Sequence, residues 1–151
     1  MPHESRSSPR EIEKYLGRVS GPLLDRIDIH IEVPAVRFNE LTGKRTGEAS
    51  AQIRDRVIAA RRMQQRRFAG RKVSCNARMG SRELKEFCAI SEETLHLLQM
   101  AMQEMKLSAR AYDRILKVSR TIADLAGAEK IAADHIGEAI QFRSLDRQLW
   151  S

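Results

Sequence analysis

From residue 27 the chain alternates with a period of two. Ile27, Ile29, Ile31 and Val33 fall on one side, Asp28, His30 and Glu32 on the other. This pattern predicts a β-strand over 27–33, closed by Pro34. After residue 46 the apolar positions recur every three or four residues instead. They predict a long helix over 47–68 with Ile53, Val57 and Ala60 on one side, then a short helix over 81–88. A third helix, capped by Ser91, runs to Lys106 with Leu95, Leu98, Met102 and Met105 in register. A fourth begins at Ser108 and ends at Gly127, where a left-handed cap needs a glycine. A fifth, capped by Asp134, extends to Ser144. Upstream, Ser8-Pro9-Arg10-Glu11 has the order of a capping box with proline at the first helical position, and predicts a helix to Tyr15 or Leu16. Gly17 and Ser20-Gly21-Pro22 break it, with room for one more turn over 22–26. Residues 35–46 read as a linker. No internal repeat or low-complexity tract is present. The fold class is therefore mainly α: a helical bundle preceded by a short helix and one orphan strand. A lone strand cannot satisfy its own N–H and C=O groups, so a sheet is missing from this reading.

The 151 residues allow one domain or somewhat more. A hydrophobic content of 42% supports a core, and a net charge of +7 favours either a polyanionic partner or plain solubility. No apolar run is long enough to span a membrane, and MPHESRSSPR lacks the apolar core of a signal peptide. Cys75 and Cys88 are the only cysteines, which suits a reducing compartment, so a cytoplasmic location is expected.

Candidate chemistry narrows quickly. Thr42-Gly43-Lys44-Arg45-Thr46 fails as a phosphate-binding P-loop, because Phe38 and Arg45 stand where glycine and Ser or Thr are required. It reads as a basic turn. His3, His30, His96 and His135 are scattered, and the Cys75–Cys88 spacing matches no zinc pattern. Cys88 reads as a small core residue, and His135 as a capping or packing residue. The 47–68 helix and its end carry Arg54, Arg56, Arg61, Arg62, Arg66, Arg67, Arg71 and Lys72 against Asp55. This is either a solvated surface or a nucleic-acid contact, for which Arg61, Arg62, Arg66 and Arg67 are the candidates. In SARAYDRILKVSRTIADLAG (108–127), Tyr112, Ile115, Leu116, Ile122, Ala123 and Ala126 share one face. Arg110, Arg114 and Lys117 lie opposite. Arg110 sits in the first turn, where a cation opposes the helix dipole unless an anion is held there.

SGPLLDRIDIHIEVP (20–34), GEASAQIRDRVIAARRMQQRRF, LSARAYDRILKVSRTIADLAG and HIGEAIQFRSLDR together resemble the magnesium-chelatase-like AAA+ ATPases, most closely the competence-protein (ComM, or YifB) group. The resemblance implies that residues 1–34 are the tail of an α/β ATPase core, 35–46 a linker and 47–151 the helical lid. The orphan strand is then the last strand of that core, and the Walker A and B motifs lie outside this chain. The resemblance also implies an arginine finger at Arg26, a sensor-2 arginine at Arg110, and cofactor contact by Arg110 and Arg114. Locally, Arg26 between Asp25 and Asp28 is also an ordinary ion-pair cluster. ATP and Mg²⁺ belong to the full-length protein, and this chain alone is expected to be inactive. Other copies in a ring, a hexamer, are the expected partners, together with branched DNA during recombination. A chelatase motor inserting Mg²⁺ into a porphyrin and a freestanding basic nucleic-acid-binding module are the alternatives. The group's Cys-x-Cys before the first helix is replaced here by Ser5-Arg6-Ser7.

Overall fold

The computed structural model describes residues 8, 10, 11, 14, 23, 26–31, 33 and 47–143. The linker at 35–46 with its basic turn, Ser5–Ser7, Gly17, Gly21-Pro22, Pro34 and the end beyond 143 lie outside the described residues. The mainly helical class holds. Residues 47–143 form α1 (Ser50–Arg67), a 3-10 turn (Asn76–Arg78), α2 (Ser81–Phe87), α3 (Glu92–Glu104), α4 (Ala109–Leu125) and α5 (Ala133–Gln141).

Local chemistry fixes the helix ends. The backbone N–H of Thr94 donates to Ser91 Oγ at 3.2 Å and that of Ala111 to Ser108 Oγ at 3.2 Å, as the sequence predicts. The Ser8–Glu11 box also forms: Ser8 N–H donates to Glu11 Oε2 at 2.8 Å, and Glu11 N–H returns to Ser8 Oγ at 3.4 Å. Gly127 adopts φ +69°, and the N–H groups of Ala128 and Gly127 reach the carbonyls of Ala123 and Asp124. The same closure ends α3, but with Lys106 in the left-handed position at φ 51°. The cap of α5 departs from the Asp134 expectation and bears out His135 as a capping residue. Asp134 lies inside the first turn, and His135 Nδ1 accepts the N–H of Ala132 at 3.0 Å. The helix thus starts earlier than its acidic residue indicated.

Helix α4 is the centre. Two adjoining stripes of it are buried, Ala111/Ile115/Ser119/Ala123 and Leu116/Arg120/Asp124. It packs against α5, α1, the 3-10 turn and α2, while α3 packs on α5. Leu98, Ile115, Ala123 and Ile136 are the centre of the apolar core, with Phe68, Met79, Leu84 and Cys88 around them. Ala126, expected on the apolar face, is exposed because the helix ends there. The stripe of α1 is divided: Ala60 is buried, but Ile53 and Val57 are 42% and 44% exposed.

The alternating stretch forms no strand at residues 27–31 and 33. Among the described residues no second strand offers it a ladder. Its polarity is also inverted relative to a core strand. Ile31 and Val33 are 67% and 82% exposed, whereas His30 is 6% exposed. One of its backbone groups is taken up by the end of α5 instead, where His30 N–H donates to the Phe142 carbonyl at 2.9 Å.

Candidate functional site

Arg26 is exposed in a turn closed by its own N–H to the Leu23 carbonyl at 3.0 Å. Two residues on, Asp28 pairs with Arg114 of α4. The chain just after the Arg26 turn is thus tied to the helix that carries Arg110. Arg110 is exposed in the first turn of α4, one helical turn before Arg114. Of the cations read as opposite the apolar face, Lys117 donates to the Ala77 carbonyl at 3.2 Å, closing the 3-10 turn onto α4. Arg61, Arg62 and Arg66 are exposed on α1.

Arg67 is not on that surface. Its guanidinium donates to Asp124 at 2.5 and 2.8 Å and to Asn76 Oδ1 at 2.9 Å. Asp124 also accepts from Arg120 Nε at 3.1 Å and from Asn76 Nδ2 at 2.8 Å. Arg120 then reaches the carbonyls of Ala128 and Glu129 beyond the end of α4, at 2.6 and 2.8 Å. Gln64 Oε1 accepts the Asn76 backbone N–H at 3.3 Å. Burial pushes the Asp124 carboxyl up, but the hydrogen bonds from Arg67 and Asn76 and the two arginine charges hold it below the usual carboxylate range. Burial lowers Arg120 despite the adjacent carboxylate. This network ties α1, the 3-10 turn and α4 into one body, and it takes Arg67 out of the set available to a nucleic acid. Sequence reasoning missed it. The available signal was Arg120 and Asp124 at i,i+4 spacing beside apolar Leu116 and Ala123, facing Gln64 and Arg67 on the continuation of the α1 stripe.

Two further cations of this stretch are also engaged. Arg56 forks onto Glu48 at 2.7 and 2.9 Å. Arg71, just past the helix, forks onto Glu86 and lies 4.7 Å from the Phe87 ring centre. Cys88 is 3% exposed, as expected for a core residue, and burial pushes its thiol up to about 11. No helix among the described residues is long and apolar enough to cross a membrane.

Comparison with known proteins accounts for nearly the whole chain. The pattern of the family described as magnesium chelatase, subunit ChlI C-terminal, matches residues 47–143, and that of magnesium chelatase, subunit ChlI, matches residues 1–41. Competence protein ComM of Haemophilus influenzae is 45% identical over 147 residues, covering 96% of this chain and 28% of that protein. YifB of Salmonella typhimurium is 38% identical over 148 residues, again 28% of its length. An uncharacterised protein of Mycobacterium tuberculosis is 33% identical over 130 residues. The chain thus spans under a third of the relatives it matches. With the C-terminal family pattern over residues 47–143 and relatives 45% and 38% identical across nearly the whole chain, the chain belongs to the magnesium-chelatase-like AAA+ family that includes ComM and YifB.

Proposed function

We propose that this chain is the C-terminal part of a ring-forming AAA+ ATPase and supplies its arginine finger, Arg26, and its sensor-2 arginine, Arg110. ATP and Mg²⁺ are held by the preceding part of the full-length protein. The observation that carries this reading is the meeting of the Arg26 turn with α4 through Asp28 and Arg114. One guanidinium reaches the γ-phosphate of the neighbouring subunit, and the other reads the phosphates of its own subunit. A guanidinium suits both tasks because it stays charged and forks onto phosphate oxygens. The ring is a hexamer acting in the cytoplasm, and the load is branched DNA during recombination. The printed name of the H. influenzae relative, a competence protein, and the exposed Arg61, Arg62 and Arg66 support that load. The family description favours a second reading, a motor for Mg²⁺ insertion into a porphyrin.

The test uses the full-length protein. Arg26→Ala retains ATP binding but loses ~10³-fold or more in turnover, because a finger acts on charge developing in the transition state. Mixing it with a Walker A variant restores part of the activity, since a mixed ring joins one good site to one good finger. Normal turnover by assembled Arg26→Ala rings sinks the proposal. ATPase stimulation by a porphyrin and not by branched DNA moves the load to the second reading.

A further inference from the structure

The segment after Arg26 is held by polar contacts rather than by apolar burial. Its isoleucines at 27, 29 and 31 are 39%, 44% and 67% exposed. Three contacts fall on its first residues. Arg143, just beyond α5 and 1% exposed, donates Nη1 to the Ile27 carbonyl. Arg114 of α4 pairs with Asp28. The His30 N–H donates to the Phe142 carbonyl at 2.9 Å. Helix α4 and the residues just past α5 thus grip the residues following Arg26. Both gripping side chains are arginines, whose hydrogen bonds to a carbonyl or carboxylate are charge-assisted and directional.

We infer that Arg143 and Arg114 are positioning residues that fasten the Arg26 turn to the helix carrying Arg110, so that nucleotide-driven movement of α4 carries Arg26 with it. This rests on the roles of Arg26 and Arg110 proposed above. It goes beyond them by making the two arginines parts of one moving body: the occupancy of a subunit's own site sets the aim of the finger it offers its neighbour. It also replaces direct phosphate contact as the role of Arg114. That guanidinium is turned to Asp28, while Arg110, one turn earlier, remains at the helix end. The geometry is demanding, because displacing a catalytic group by about 1 Å costs on the order of 10²-fold in rate.

Charge exchange across the Arg114–Asp28 pair tests the inference in the full-length ATPase. Arg114→Asp and Asp28→Arg each lower kcat about tenfold or more, with KM for ATP within about twofold of wild type. The double exchange, Asp28→Arg with Arg114→Asp, recovers most of that loss. A rise in KM that the double exchange does not reverse overturns the inference and returns Arg114 to the phosphates. Arg143→Ala lowers kcat in the same way, and Arg143→Lys, which keeps a cationic donor, recovers part of it. A second readout separates fastening from general damage. In the 151-residue chain, Arg114→Asp speeds amide exchange of peptide 27–31 about tenfold while peptides from α4 and α5 exchange as in wild type. Unchanged exchange at 27–31 overturns the inference. Loss of turnover in Arg26→Ala with unaltered kcat in both Arg114→Asp and Arg143→Ala overturns the fastening alone. Normal turnover in Arg26→Ala overturns the finger reading, and the coupling falls with it.

Discussion

Replacing Asp124 by Asn is the severest test of how the bundle is held. The Asp124 side chain is fully buried, with Arg120 2% and Arg67 12% exposed beside it. The substitution keeps the shape but removes the only negative charge in the network, and its amide turns a donor towards groups that donate. Two guanidinium groups are then left facing one another with no counter-charge. Breaking a buried pair from one side costs about 3–5 kcal/mol. For a chain of this size that is a fall of roughly 10 °C in Tm. Urea and thermal unfolding followed by circular dichroism measure it. The pH dependence has a definite sign. The folded carboxyl titrates below its ordinary 3.8, so its contribution is complete at neutral pH and is lost as pH falls from about 4 through the depressed folded value. Protonated Asp124 resembles Asn, so the gap between wild type and variant closes in acid. Glu86→Gln is the surface control: it breaks the exposed Arg71–Glu86 fork and leaves Tm essentially unchanged. A loss below ~1 kcal/mol for Asp124→Asn at pH 7, or a gap that persists unchanged at pH 3, would refute the account of a buried, charge-balanced network.

Other consequences follow from single sites. Gly127→Ala strains a left-handed cap and costs about 1 kcal/mol, whereas Lys106→Gly relieves the same strain at the end of α3 and raises Tm by a few degrees; chemical denaturation of the two variants gives opposite shifts. Cys88, with its thiol pushed up to about 11, alkylates with iodoacetamide at pH 8 about 10²-fold more slowly than a free cysteine, as peptide mass spectrometry over time will read. If the exposed face of α1 binds DNA in the full-length protein, Arg61, Arg62 and Arg66 together to Gln lower the salt slope of binding by about 2 to 3. An unchanged slope makes them a solvated surface.

The division between what the chain spells out and what folding decides follows the range of each interaction. Serines 8, 91 and 108 and Gly127 were legible because a cap is settled by atoms within a few residues of it. The helical class was legible for the same reason, since periodicity is a property of one segment. Family membership was legible because whole blocks carry it. Even local reading slipped at α5, where His135 and Asp134 both stand near the start and only the formed backbone chose between them. Across the bundle the sequence had no voice. Arg67 reads like Arg61, Arg62 and Arg66, yet it alone of the four meets Asp124, 57 residues away. The alternation at 27–33 announced an apolar face and could not say whether anything would cover it. In the fold that face stands exposed while His30 goes in, and Arg143, given no role by the sequence, holds the carbonyl of Ile27. Side-chain chemistry is written along the chain, but burial and partnership belong to pairs of segments, and only the packing of α1, α4 and α5 decided which pairs met.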